Sequence, residues 1–233
     1  MFYALGEIVL VVVGILIALQ VNNWNEDQKA ERETETYLKA LRQELQKNIR
    51  YLRNVDNFTR QDIQETLKYM EAFSVSGPVE DTLFRSVAIH IGPINLTPMA
   101  EAAFNELMSS GAIQNVADDS LKYHVERIES YLRVFEKRKA ETDATWQSQL
   151  LPYYMEHANI ISMRDSIMEW AVPKTTLTPN REAFVNNRQF LNLLMNRSMM
   201  NWRLYGSNEQ IIEQFESLVS RIDRYLEEKT EPK

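Results

Sequence analysis

The chain has 233 residues, of which 44% are hydrophobic and 25% charged, with a formal net charge of −7. This apolar content is ample for a packed core and excludes a disordered chain, while the acidic balance argues against a phosphate-binding surface and so against nucleic acid as a partner. The absence of cysteine removes disulfides, thiolate metal sites and cysteine nucleophiles, and the 6 glycines and 7 prolines are too few for many tight turns, which favours long helices over a multi-stranded β fold.

The first predicted element is apolar. From Ile8 to Leu19 every residue is apolar or glycine. With Phe2 to Glu7, Gln20 and Val21 it makes a helix of roughly 30 Å at 1.5 Å per residue, which matches the hydrocarbon thickness of a bilayer. A transmembrane helix over 1–24 is therefore expected. The basic n-region and small-x-small cleavage site of a signal peptide are missing. Trp24 reads as an interfacial aromatic anchor, and Asn22, Asn23 and Asn25 around it mark the headgroup boundary.

Glu7, Val11, Gly14 and Ala18 follow one another by four, three and four, which places them on one helix face. Gly14 and Ala18 form a small-xxx-small pair that lets helix backbones approach, so this face is the predicted seam for a homo-oligomer. Two readings of Glu7 stand side by side. It snorkels to the headgroups near the positive end of the helix dipole, or it serves as a polar, ion-responsive contact on the seam.

Tyr3, Ala4, Gly6, Glu7, Gln20, Asn22, Asn23, Trp24, Asn25 and Glu26 together resemble the N-terminal signature of a functionally uncharacterised family of bacterial single-span membrane proteins. That signature reads Tyr-Ala-Ile-Gly-Glu, an apolar span, then Asn-Asn-Trp-Asn-Glu; Leu5 stands here in place of the isoleucine. Phe104 to Ile113 is similar to the family's central Leu-x-Ser-Ser-Gly segment. The resemblance implies a protein of the bacterial inner membrane with its large domain on the periplasmic side, and it implies no activity. The basic residues that family members carry ahead of the span have no counterpart in residues 1–5.

After the span, residues 25–36 are charged and free of glycine and proline, as suits a juxtamembrane helix running into solvent. A soluble helical domain over 37–233 is expected to follow. Leu38, Leu41, Leu45, Ile49, Leu52 and Val55 recur at three and four, the stripe of an amphipathic helix that packs on a core or pairs with another copy. A shorter helix is predicted over Gln61 to Phe73, ended by Gly77 and Pro78. Thr97 as N-cap and Pro98 at the first helical position predict a helix through Met108 that Gly111 terminates, which makes Ser109, Ser110 and Gly111 a helix exit.

A long helix is expected from Ser120 to about His157, with Leu121, Val125, Ile128, Leu132, Phe135, Thr142, Trp146, Leu150 and Tyr153 on one face and a kink at Pro152. Pro173 and Pro179 frame a loop, and Thr178 with Pro179 gives a second cap. The next helix, Asn180 to Tyr205, is predicted to stop at Gly206. Ser207 and Gln210 then form a capping box for a last helix carrying Ile211, Phe215, Leu218, Ile222 and Tyr225. The expected fold is all-α: one transmembrane helix continuing into a helical bundle of long antiparallel helices.

Motifs for chemistry are scarce. His90, His124 and His157 show no metal-ligand spacing, and no glycine-rich phosphate loop or G-x-S-x-G elbow is present, so no catalytic residue, metal or cofactor is assigned. Met195 and Met199, one turn apart, are of a type that binds soft metal, but beside Leu191, Leu194 and Trp202 they read as core. The leading expectation is a non-enzymatic interaction, scaffold or sensor module. Two alternatives are an ion-responsive oligomer built on Glu7 and a membrane-anchored hydrolase using dispersed carboxylates or Ser109 and Ser110.

Overall fold

The computed structural model describes residues 2–74, 94, 96–158 and 180–230, with the side chains of 2–9, 11 and 230 outside the description. Every regular element among the described residues is a helix or helical turn, and none is a strand. In chain order the helices are α1 (Phe2–Ser74), α2 (Ala102–Ser109), α3 (Asp119–Glu126), α4 (Ile128–Thr145), α5 (Leu151–His157) and α6 (Arg188–Thr230), with short 3₁₀ turns at Ala112–Asn115 and Arg181–Ala183 and a π turn at Trp146–Leu150. The predicted ends at Gly77/Pro78 and the Pro173–Pro179 loop with its cap lie outside the described residues.

Segments 25–36, 38–55 and 61–73, read separately from the sequence, form a single 73-residue helix with the apolar opening. Between Gly14 and Gly77 there is neither glycine nor proline to interrupt the ladder of hydrogen bonds. The core face of α1 continues past the predicted stripe: Leu38, Leu41, Leu45, Asn48, Leu52, Val55, Thr59, Ile63, Thr66, Tyr69 and Phe73 are all buried. Steps of three and four average 3.5 residues, the repeat of knobs-into-holes helix packing.

The described chain forms two compact units. The first takes Met1–Lys47, Ala100–Ile128 and Phe215–Lys233, the second Asn48–Met99 and Glu129–Gln214. In the first unit, buried residues come from Leu38, Leu41 and Leu45 of α1, Phe104 and Leu107 of α2, Leu121 and Val125 of α3, and Phe215, Leu218 and Ile222 of α6. Arg42 pairs with Asp223 and Lys229 with Glu31, so α1 and α6 run antiparallel in this unit.

Helix α2 begins at Ala102, not at Thr97. The Tyr51 hydroxyl accepts from the Thr97 N–H at 2.9 Å and donates to the Thr97 carbonyl at 2.7 Å, which engages that backbone outside any helix. The first amides of α2 are instead met from α1: the Glu44 carboxylate accepts from Ala103 N at 2.8 Å and Phe104 N at 3.1 Å. A carboxylate there satisfies orphan donors and sits at the positive end of the helix. Gly111, at φ +74°, ends this region as expected, with Ser110 as the C-cap. Asp118 caps α3 by accepting from Ser120 N and Leu121 N.

In the second unit, Tyr131 bonds Gln214, Arg138 bonds Ser207 and Asn196 bonds Gln149. As one number rises by 18 the other falls by 18, so α4 and α6 are antiparallel and in constant register. The predicted helix 120–157 is broken at Arg127 and again by the π turn, where the Leu151 N–H reaches back five residues to the Trp146 carbonyl. Pro152 follows at once; a wider turn ahead of a proline accommodates its ring and missing donor. An aromatic cluster of Tyr69, Phe73, Tyr153, Tyr154, Phe184 and Phe190 fills the core here.

Helix α6 corrects the predicted break at Gly206. It runs unbroken from Arg188 to Thr230, and an added Cβ at Gly206 meets nothing within 4 Å. Ser207 caps nothing; its hydroxyl donates to the Arg203 carbonyl one turn back at 2.8 Å. One helical glycine costs only about 1 kcal/mol, less than the flanking turns gain by packing. The real N-cap is Asn187, which accepts from Gln189 N and Phe190 N.

Candidate functional site

Two features stand out from a well-paired helical bundle: an uncovered apolar helix segment and a buried polar seam. On α1, Leu10, Val12, Val13, Ile15, Leu16, Ile17, Leu19 and Val21 are each at least 46% exposed, and Trp24 is 64% exposed. At about 100° per residue these eight positions point around most of the helix. The sector they leave open holds Gly14 and Ala18, both exposed, and a Cβ added at Gly14 has open space around it. Asn22, Asn23 and Asn25 are exposed within the unbroken helix. The side chains of Glu7 and Val11, the other half of the predicted face, lie outside the described residues. Among the described residues, no helix is long and apolar enough to cross a membrane.

The polar seam lies inside the second unit, where α1 meets α6. The core positions of α6 run Phe190, Leu194, Arg197, Asn201, Leu204, Asn208 and Ile211, in steps of four and three, and all are buried. Arg197, 2% exposed by its side chain, binds Asp62 through both prongs of its guanidinium: Nε donates to Oδ2 at 3.1 Å and Nη2 to Oδ1 at 2.9 Å. Asn201 Nδ2 donates to the same Oδ2 at 2.5 Å. The planar guanidinium fork suits a carboxylate in this bidentate geometry, which fixes the axial position of one helix on the other.

Two turns away on α6, Asn208 Nδ2 donates to Asp56 Oδ1 at 2.8 Å, and both residues are buried. Burial, with a smaller contribution from the Glu209 carboxylate, pushes the Asp56 carboxyl up to about 6 against the opposing pull of Asn208 and Arg60. Arg60 itself is engaged elsewhere: Nη2 donates to the Tyr205 hydroxyl at 2.6 Å and the guanidinium lies 5.2 Å from that ring centre. The Tyr205 hydroxyl in turn donates to Glu209.

The seam displaces residues that the sequence placed in the core. Met195, Met199 and Trp202 are 45%, 48% and 57% exposed, because Arg197 and Asn201 hold the inward positions between Leu194 and Leu204. An arginine and an asparagine read as a solvated face until the partner Asp62 is seen 135 residues earlier. The available signal was the uninterrupted four-three spacing from Phe190 to Tyr225, which keeps its phase only if Arg197, Asn201 and Asn208 point inward.

Ser109 and Ser110 are taken up by the helix exit. Ser109 Oγ donates to the Glu106 carbonyl at 3.3 Å, and Ser110 Oγ donates to the Leu107 carbonyl at 3.1 Å while accepting from Ala112 N. Among the described residues no group of three or more His, Asp or Glu side chains converges to hold a metal ion. The carboxylates of Asp56 and Asp62 face partners on α6, a geometry that sets register and charge state and offers no open face to a substrate.

Fold and sites together define an all-α helical-bundle protein organised on two long helices. Residues 7–139, more than half of the chain, match a family described as a family of unknown function (DUF6090), and the chain belongs to that family. The match covers the apolar segment, Glu44, Asp56, Asp62 and the Ser109–Gly111 exit, and ends within α4. No curated protein and no solved structure matches the chain.

Proposed function

We propose that the protein is a single-span, membrane-anchored helical module that works by interaction and not by catalysis, with residues 2–24 in the bilayer and the helical bundle outside it. The carrying observation is the exposure of large apolar side chains from Leu10 to Val21 around most of a helix whose later turns bury only one stripe, with small Gly14 and Ala18 in the remaining sector. A partner protein would cover one face of such a helix; a helix apolar on every side has lipid as its matching surroundings. Counted with its opening turns, whose side chains lie outside the described residues, the stretch 2–24 gives about 35 Å of helix, enough for the roughly 30 Å hydrocarbon core, and Trp24 falls where an aromatic anchor belongs. The bacterial inner membrane, with the bundle on the periplasmic side, is the placement that the likeness to the family signature supports.

The test uses the full chain expressed in a bacterium. After alkaline carbonate extraction the protein is expected in the membrane pellet, whereas Val13→Arg/Leu16→Arg is expected in the supernatant, since two arginines at the centre of the helix cost about 5–7 kcal/mol of insertion free energy. Because the natural chain has no cysteine, one cysteine introduced at exposed Lys137 also reports the side: an impermeant maleimide labels intact spheroplasts if the bundle is periplasmic. Extraction of the unaltered chain by carbonate would end the proposal.

Copies of the span are proposed to meet through the sector of Gly14 and Ala18, where no bulky side chain stands between backbones. Light scattering in detergent should give a defined oligomer for the full chain and a smaller mass for Gly14→Leu/Ala18→Leu. Equal masses would remove the seam.

A further inference from the structure

We propose that Asp56 and Asn208 form a proton-operated latch between α1 and α6, closed by two hydrogen bonds when Asp56 is a neutral acid and weakened when it ionises. The argument starts from an unbalanced pair. Asn208 Nδ2 donates to Asp56 Oδ1, but Asn208 Oδ1 is buried and meets no donor among the described residues. A buried carbonyl oxygen without a donor carries a desolvation cost, and a carboxylate cannot relieve it because it has only acceptors. A carboxylic acid can. Side by side, an acid and a primary amide exchange two bonds: amide N–H to acid C=O, and acid O–H to amide C=O.

The surroundings favour the neutral form on geometry. Asp62, two turns further along α1, has a buried guanidinium bound to both oxygens. Asp56 has one amide. The charged groups that act on it are Arg60 on its own helix and Glu209 on α6, of opposite sign, and Arg60 is bonded to the Tyr205 hydroxyl. On α4, Arg138 is taken up by Glu141 and Ser207. A buried carboxyl to which no cation among the described residues is bonded favours its protonated state.

The carboxyl's shift upward, from an ordinary 3.8 to about 6, sets the window. Between about pH 4 and pH 6 the folded protein holds a proton that the unfolded chain has released. The stability that this proton supplies is therefore full below about pH 4, falls as pH rises through 6 and stays lost above it. The latch is independent of the membrane reading, since both residues lie inside the second unit.

The test compares thermal unfolding of the full chain in detergent with Asp56→Asn, which replaces the neutral acid by a neutral amide of the same shape. The variant is expected to unfold at the same temperature as the natural chain near pH 4 and about 5 °C higher at pH 7.5. The side-chain carboxyl ¹³C resonance of Asp56, assigned through its bonded backbone in the natural chain, is expected to titrate with a midpoint close to 6. A midpoint near 3.8, or a variant less stable than the natural chain at pH 7.5, would overturn the latch. The NMR titration is made on the natural chain and so decides between the two states of Asp56 even if the variant does not fold.

Discussion

Asp62→Ala is expected to remove about 3–5 kcal/mol of folding stability, read as a shift of the urea midpoint at pH 7. The substitution deletes few atoms, so cavity formation is a minor part of this figure. The major part is electrostatic: the almost wholly buried Arg197 loses the bidentate bond that Asp62 gives its guanidinium, and Asn201 loses the acceptor for its amide as well. An uncompensated buried cation has no cheap refuge, because an arginine does not deprotonate at accessible pH. The pair as a whole is a different matter. Two charges brought out of water give back in attraction roughly what their dehydration costs, so Asp62→Leu/Arg197→Met/Asn201→Leu, which replaces the charged pair and the amide bonded to it by apolar groups, should lie within about 2 kcal/mol of the natural chain. A loss below about 1 kcal/mol for Asp62→Ala would mean that the guanidinium reaches water and that the seam is open.

Phe190→Ala is the second large expected loss, about 3–5 kcal/mol. Phe190 is fully buried at the start of α6 and meets four rings: Phe73 at 5.7 Å and Phe184 at 4.8 Å between centres, both edge-on, Tyr153 at 5.8 Å nearly parallel, and Tyr154 at 6.2 Å edge-on. Removing it opens a void that these rings cannot fill without leaving their rotamers, and it forfeits the quadrupole contacts that edge-to-face pairs add to area burial. The informative comparison is Trp202→Ala. Tryptophan is the larger side chain, yet its exposed position on the same helix sets an expected cost of roughly 0.5 kcal/mol. If Trp202→Ala were the more damaging change, α6 would have to be turned by about one residue, bringing Met195, Met199 and Trp202 inward and Arg197 out.

The rotational setting of α6 also separates what was legible in the sequence from what was not. The all-α class follows from composition and local pattern: few glycines and prolines, no alternating strands, and stripes such as Leu38 to Val55 and Ile211 to Tyr225, every member of which is buried. The exit at Gly111 was legible too, since its φ of +74° is a conformation that glycine adopts at no steric cost. These features rest on interactions between residues within a few positions of one another, which the order of side chains specifies.

Pairings across long stretches of chain were decided elsewhere. The start of α2 was misplaced because its cap is not the local Thr97 but Glu44, about 60 residues earlier on α1. Gly206 and Ser207 carry the local marks of a break, and burial of one continuing helix face at Leu204, Asn208 and Ile211 overrides them. Arg197, Asn201 and Asn208 look like surface residues until Asp62 and Asp56 stand opposite, for burial of a polar group becomes tolerable only when its partner is buried with it. The sequence by itself therefore determined which segments are helical and where the long apolar run lies; the tertiary structure decided where α2 begins, which way α6 is turned and which polar groups are closed inside, because those choices depend on hydrogen bonds and charges supplied by distant parts of the chain.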